Sequence, residues 1–139
     1  GDFYVSGIAD PLSADYSYSQ ALGGIEKNIP VIFLSHTPDV FREIPSEVGV
    51  TFSGHTHGGQ IRLPFIGALF SNTFSGDKLI EGEYRRDGKT IFVTRGLGTS
   101  RISARFMCTP VITLATLGRE TRQPAAQTEK KLEESKDTL

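Results

Sequence analysis

The chain has 139 residues, enough for one domain with a sizeable core. It is 37% hydrophobic and 22% charged with a formal net charge of −1, so it lacks the basic footprint of a nucleic-acid partner. The single cysteine, Cys108, excludes an intrachain disulfide and a cysteine-rich zinc knot, and no apolar run approaches the roughly 20 residues of a membrane helix. No signal-peptide pattern is visible. The chain opens at Gly1 straight into an apolar run, which reads as a piece cut from something longer or as a processed terminus.

Phe3 to Ile8 is a short β-prone run ended by Gly7, Asp10 and Pro11, and reads as a buried strand. Asp10 then stands at a strand's C-terminal end, where open α/β sheets bind ligands, although an Asp-Pro turn is the favoured reading. Ala21, Leu22 and Ile25 predict a short helix over 19–27, weakened by Gly23 and Gly24. Val31 to Leu34 is continuous, β-branched and aromatic, as expected of a strand covered on both faces. His36 follows it, and Thr37 and Pro38 fit the cap and first position of a helix through Val40, Phe41 and Ile44. Val48 to Phe52 is the next strand, with Gly54 and His55 at its end. This alternation predicts βαβ units with largely parallel pairing, an α/β fold.

The pattern then changes. Gly59 to Leu63 reads as a strand leading to Pro64, and Phe65 to Phe70 is apolar but broken up. That apolar stretch is a candidate lining for an acyl or lipid group, though a loop packed on the sheet is the favoured reading. Leu79 to Tyr84 and Thr90 to Thr94 read as two strands joined by a turn containing Asp87-Gly88, a strong hairpin signal. Gly96 to Ser100 is rich in turn residues, and Pro110 to Leu117 reads as a last strand. Residues 1–118 form the predicted domain. Residues 119–139 are polar and read as a disordered tail or frayed helix.

All three histidines lie in two motifs: Ser35-His36-Thr37-Pro38-Asp39 and Ser53-Gly54-His55-Thr56-His57-Gly58-Gly59-Gln60. Imidazoles at i and i+2 share a face on a strand and splay in a strand-end turn. The flanking glycines permit unusual backbone angles and close approach to a ligand. If the two strands are neighbours, His36, His55 and His57 reach one rim, as metal ligands would. Imidazole suits zinc, iron, manganese and nickel without choosing among them. A cupin would need an acidic residue soon after the pair, and a metallo-β-lactamase-type site would need Asp-His directly after it; neither occurs.

These two motifs resemble those of the calcineurin-like metallophosphoesterases, most of all the bacterial branch of the YkuE and YaeI phosphodiesterases. Leu63-Pro64, Thr94 to Ser100 and Arg105-Phe106 extend the resemblance over about residues 2–118. It implies a four-layer α-β-β-α sandwich with two divalent metal ions at strand ends, and phosphoester hydrolysis by a metal-activated hydroxide. It also implies that His36 and His55 ligate one ion and His57 the other. Arg62, Arg95, Arg101 and Arg105 are candidate phosphate contacts, each of low specificity.

The family's first-half motifs, Asp-x-His, Gly-Asp-x-x-Asp and Gly-Asn-His, are absent, and Met107 and Val111 stand where the family often has Asn and Glu. The chain therefore reads as half of the sandwich, with the N-terminal half absent, no catalytic residue of its own and no expected activity alone. The alternative is a non-catalytic metal-binding or interaction module. The expected partners are a phosphoester or diphosphate substrate, lipid-linked ones included, and either the missing half or a second copy meeting an exposed sheet face. The expected location is cytoplasmic or peripheral at the bacterial inner membrane.

Overall fold

A computed structural model describes residues 2–75 and 78–118. Five strands form one sheet in the order β1-β2-β3-β7-β6, where β1 is Tyr4–Gly7, β2 Val31–Ser35, β3 Val50–Ser53, β6 Gly82–Arg86 and β7 Lys89–Val93. β1, β2, β3 and β7 run parallel, and β6 returns antiparallel to β7. The parallel order expected of the first three strands is thus present, as is the hairpin. Asp87 and Gly88 take φ of 50° and 74°, the left-handed pair that lets a two-residue turn match the twist of its strands.

The core lies on one face of this sheet. Val31 and Phe33 from β2 and Ile91 and Val93 from β7 pack with Val40, Phe41, Ile44, Val48 and Leu79. The predicted helix after Pro38 is a 3₁₀-helix, Pro38–Arg42, whose Thr37 cap accepts from the Asp39 N–H. Buried Lys89 donates from Nζ to the Ile44 carbonyl at 2.7 Å, satisfying an acceptor beyond that helix. The helix expected over 19–27 shrinks to α1, Tyr18–Ala21. Gly24 turns left-handed at φ 78°, and a Cβ on Gly23 would stand 2.8 Å from the Ser19 carbonyl, so the chain leaves the helix there.

Among the described residues the opposite face is left partly open. β2 reads as a doubly covered strand, yet Leu34 is 46% exposed, and β1, predicted buried, is an edge strand with Val5 59% exposed. Register aligns Val5, Ile32, Val50 and Thr90 in one row across this face, and Gly7, Leu34, Phe52 and Phe92 in the next. Phe52 and Phe92 stack with ring centroids 5.4 Å apart.

Two predicted strands differ. Gly59 to Leu63 begins in a 3₁₀ turn, His57–Gly59, leaving β4 as Arg62–Leu63, which pairs with β5, Gly67–Ala68. Pro110 to Leu117 forms no strand. Among the described residues it has no neighbour to complete a ladder, and it lies exposed apart from bonds of Val111 N to the Gly96 carbonyl and of Thr113 Oγ1 to Thr94 Oγ1, both 3.1 Å. The expected packing of the 63–70 loop on the sheet is also overturned, since Phe65, Ile66, Leu69 and Phe70 all face solvent. The polar tail, 119–139, lies outside the described residues.

Candidate metal centre

The parallel pairing of β2 with β3 sets Ser35 opposite Ser53, so the residues just past each strand meet at one rim. The His36 carbonyl accepts from Gly54 N at 3.1 Å and from Ser53 Oγ at 3.2 Å, which ties the two strand ends together. His36 Nε2 and His55 Nδ1 then stand 2.9 Å apart, with the rings edge to face. Two nitrogens that close can serve one cation once the proton between them leaves, and imidazole donors fit the borderline divalent metals.

His57 is placed differently. Its Nδ1 lies 3.2 Å from the Gly98 carbonyl, on the turn after β3. Among the described residues no group of three or more His, Cys, Asp or Glu side chains is placed to hold a metal ion. The structure therefore brings His36 and His55 together and sets His57 on the adjoining turn with its own partner.

The histidine turn is strained and tightly held. His55, His57 and Gln60 take φ of 66°, 51° and 50°, a left-handed region that side chains seldom occupy. Gly58 and Gly59 lie between them with no room for a side chain. A Cβ on Gly58 would sit 2.9 Å from Cys108 Sγ, and one on Gly59 would sit 2.5 Å from the Ala68 Cβ. Buried Thr56 donates to the Ile80 carbonyl at 2.6 Å and accepts from Gly58 N. Gln60 donates from Nε2 to the Ile102 and Ala104 carbonyls and accepts from Ser100 N. Arg105 donates from Nη1 to the His57 carbonyl at 2.9 Å and from Nη2 to the Arg95 and Gly98 carbonyls at 2.7 and 2.6 Å. Gln60 and Arg105 thus bind the 95–105 loop to the turn, and Gly98 is held where it meets His57.

Three of the four candidate arginines are engaged internally. Glu81 binds Arg62 through Oε1 at 2.8 Å and approaches Arg95 Nε through Oε2 at 2.7 Å, the latter an ion pair without hydrogen-bond geometry. Arg105 is committed to carbonyls. Only Arg101 is exposed, with φ 61°.

The carboxylates near the rim have local duties. Asp10 accepts from Leu12 N at 3.0 Å and Ser13 Oγ at 3.1 Å, the Asp-Pro turn favoured from sequence. The Leu12 bond leads in holding its pKa below the ordinary value; burial opposes it, and Ser13, His36 and His55 reinforce it. Asp39 accepts from Phe74 N at 2.6 Å and Ser75 N at 2.7 Å, fixing the 74–75 loop to the His36 motif. Burial pushes the His55 pKa below 6.5, and His36 pushes the same way against Asp10, Asp39 and a bond to the Asn72 backbone. A neutral His55 is the form that ligates metal.

Sequence reasoning missed the structural parts played by Gln60, Glu81 and Arg105. Arg105-Phe106 carried the family resemblance, but nothing in a sequence says that a guanidinium points at carbonyls.

No family model matches the chain, and no solved structure matches it. Among curated proteins, it is 35% identical over 114 residues to the uncharacterised metallophosphoesterase YkuE of Bacillus subtilis, covering 81% of this chain and 40% of that protein. It is 35% identical over 95 residues to the phosphodiesterase YaeI of Escherichia coli, covering 66% of this chain and 34% of YaeI. It is 31% identical over 120 residues to the UDP-2,3-diacylglucosamine pyrophosphatase LpxG of Chlamydia trachomatis, covering 79% of this chain and 36% of LpxG. The chain thus spans well under half the length of these relatives. Over its aligned residues it belongs to the metallophosphoesterases, in the branch of YkuE and YaeI.

Proposed function

We propose that this chain is the C-terminal portion of a binuclear metal-dependent phosphoesterase that cleaves a phosphodiester or a diphosphate. The observation that carries the reading is the His36–His55 pair, two imidazole nitrogens 2.9 Å apart at the ends of neighbouring parallel strands. His36 and His55 would hold one divalent cation and His57 would contribute to a second. When bound, such cations supply Lewis acidity and lower the pKa of water. The chain's own residues position the donors: Ser53 and Gly54 lock the His36 carbonyl, and Arg105 and Gln60 fix the His57 turn.

The same reading explains the partly open sheet face. A four-layer sandwich buries its inner sheet faces against each other, and the rows of Val5, Ile32 and Val50 and of Leu34, Phe52 and Phe92 are apolar enough for that role. The remaining ligands, the bridging carboxylate and the second sheet would come from the rest of a longer protein. Two histidines are too few to close a four-coordinate site, so the chain alone would bind cation weakly and would not turn over. Relatives named as a phosphodiesterase and as a pyrophosphatase of a diacylated nucleotide sugar suggest phosphoester or diphosphate substrates, lipid-linked ones included.

The test is hydrolysis of bis-p-nitrophenyl phosphate with added manganese, by this chain and by an N-terminally extended one. The extended chain should be active and should lose activity on His55→Ala. Activity of the short chain, lost on His55→Ala, contradicts the half-site, and an inactive extended chain contradicts the whole reading. A second reading is a non-catalytic module with a single zinc on the His36–His55 pair. Metal analysis separates them: two ions in the extended protein support the first, one or none the second.

A further inference from the structure

We infer that Arg105 is a positioning residue for His57, and that through the Gly98 carbonyl it fixes which imidazole nitrogen is left to meet a cation. The place of the ring proton follows from the partner. His57 Nδ1 lies 3.2 Å from the Gly98 carbonyl oxygen. A carbonyl oxygen only accepts, so Nδ1 carries the hydrogen, and in the neutral ring Nε2 then holds the lone pair.

Arg105 holds both ends of that contact. Its Nη2 donates to the Gly98 carbonyl at 2.6 Å, and Nη1 of the same guanidinium donates to the carbonyl of His57 itself at 2.9 Å. One rigid fork thus grips the backbone that carries the ring and the acceptor that the ring faces. Arg105 Nε is buried with no acceptor among the described residues, so the two Nη groups alone set the fork's orientation. Lysine, with a single ammonium, cannot hold two carbonyls in a fixed plane.

Packing does not hold Gly98 there. Nothing lies within 4 Å of its Cβ position, and the neighbouring Leu97 is 61% exposed. Gln60 fastens the same loop further on, at Ser100, Ile102 and Ala104. Without the guanidinium the Gly98 carbonyl would be free to turn to water, and the His57 ring would exchange between its two tautomers. An imidazole whose other N–H is fixed on a carbonyl is the arrangement that orients a metal-binding histidine and sets its tautomer. The link to a cation rests on the proposed reading of His57 as a ligand; the tautomer does not.

A long-range proton–nitrogen correlation of the isotope-labelled chain, at about pH 8.5 where an ordinary imidazole is neutral, reads each histidine's tautomer. His57 should show a protonated Nδ1 and a bare Nε2, with a coupling through the hydrogen bond from Nδ1 to the Gly98 carbonyl carbon. A wild-type His57 protonated on Nε2, or lacking that coupling, overturns the proposal whether or not any variant folds. Arg105→Lys and Arg105→Gln, read in sucrose to offset lost stability, should move His57 toward the Nε2–H form that solvated histidine prefers. Gly67→Ala, destabilised away from this loop, should keep the wild-type tautomer. A folded Arg105 variant with an unchanged tautomer overturns the role of Arg105, and so does a Gly67→Ala chain that shifts to the same extent. In the N-terminally extended protein, Arg105→Lys should weaken manganese binding about 10- to 100-fold; unchanged affinity overturns the link to the cation. The tautomer is read without metal or turnover, so an inactive extended protein would count against the phosphoesterase reading and not against this one.

Discussion

Gly59→Ala is the sharpest probe of how the histidine turn is built. Gly59 has φ +79°, and an added Cβ would meet the Ala68 Cβ at 2.5 Å and the Phe70 carbonyl oxygen at 2.7 Å. Two costs follow. The left-handed backbone costs an L-residue about 1–2 kcal/mol, and forcing a methyl into backbone and Cβ contacts adds about 1–3 kcal/mol. Gly67 separates them, because it has nearly the same φ, +81°, with nothing within 4 Å of its Cβ position. Gly67→Ala should therefore lose about 1–2 kcal/mol and Gly59→Ala about 2–5 kcal/mol, read from urea midpoints at constant slope. The methyl can be accommodated only by moving β5, so Gly59→Ala should also shift the amide resonances of 67–70, which Gly67→Ala would move only locally. Equal losses for the two variants would refute the close packing of the hairpin on the turn.

Three other predictions test the rim. Burial raises the Asp39 pKa, but its bonds from Thr37, Ser75 and Phe74 outweigh that and hold it below 3.8. A depressed carboxylate pKa gives stability that is present above 3.8 and lost as pH falls through the lower folded value. Urea midpoints should therefore fall more steeply on acidification for wild type than for Asp39→Asn. His55 has its pKa lowered from 6.5, so its contribution has the same direction: stability is present above 6.5 and lost on acidification through the folded value. Its imidazole should titrate below 6.5 by NMR, and His36→Ala should raise that value by removing the neighbouring ring; a value that stays put would break the pair. Arg105→Lys keeps the charge but loses the planar fork that reaches the His57, Arg95 and Gly98 carbonyls. It should lose about 2 kcal/mol or more in urea, while the exposed Arg101→Lys loses almost nothing.

The legibility of the sequence varied with the kind of signal. β-branched and aromatic composition placed β2, β3 and β7, although in the fold only alternate residues, such as Phe33, Thr51 and Ile91, face the core. The hairpin turn was legible because Asp87-Gly88 has few other conformations open to it. The pairing of His36 with His55 followed from two strand ends and parallel order. What failed depended on partners that no local pattern encodes. Pro110 to Leu117 has strand composition, but a strand needs a neighbour, and none of the described strands takes it. β1 reads as buried because Phe3 and Val5 are apolar, yet it has a neighbour on one side only. Arg105 resembles a phosphate-binding arginine from sequence, while its geometry gives its donors to carbonyls.

The position of the histidines is set by the scaffold. Three non-glycine residues at positive φ within six positions, His55, His57 and Gln60, cost about 1–3 kcal/mol each if left to relax. They persist because Thr56 bonds backbone at Ile80, Gln60 bonds backbone of the 95–105 loop, and Arg105 of that loop bonds the His57 carbonyl. None of those bonds involves an imidazole nitrogen. Under the proposed metal site the turn's backbone would be set before any cation arrives, and binding would open the His36–His55 contact. A turn built in this way favours geometry over stability, as the proposed metal site would require.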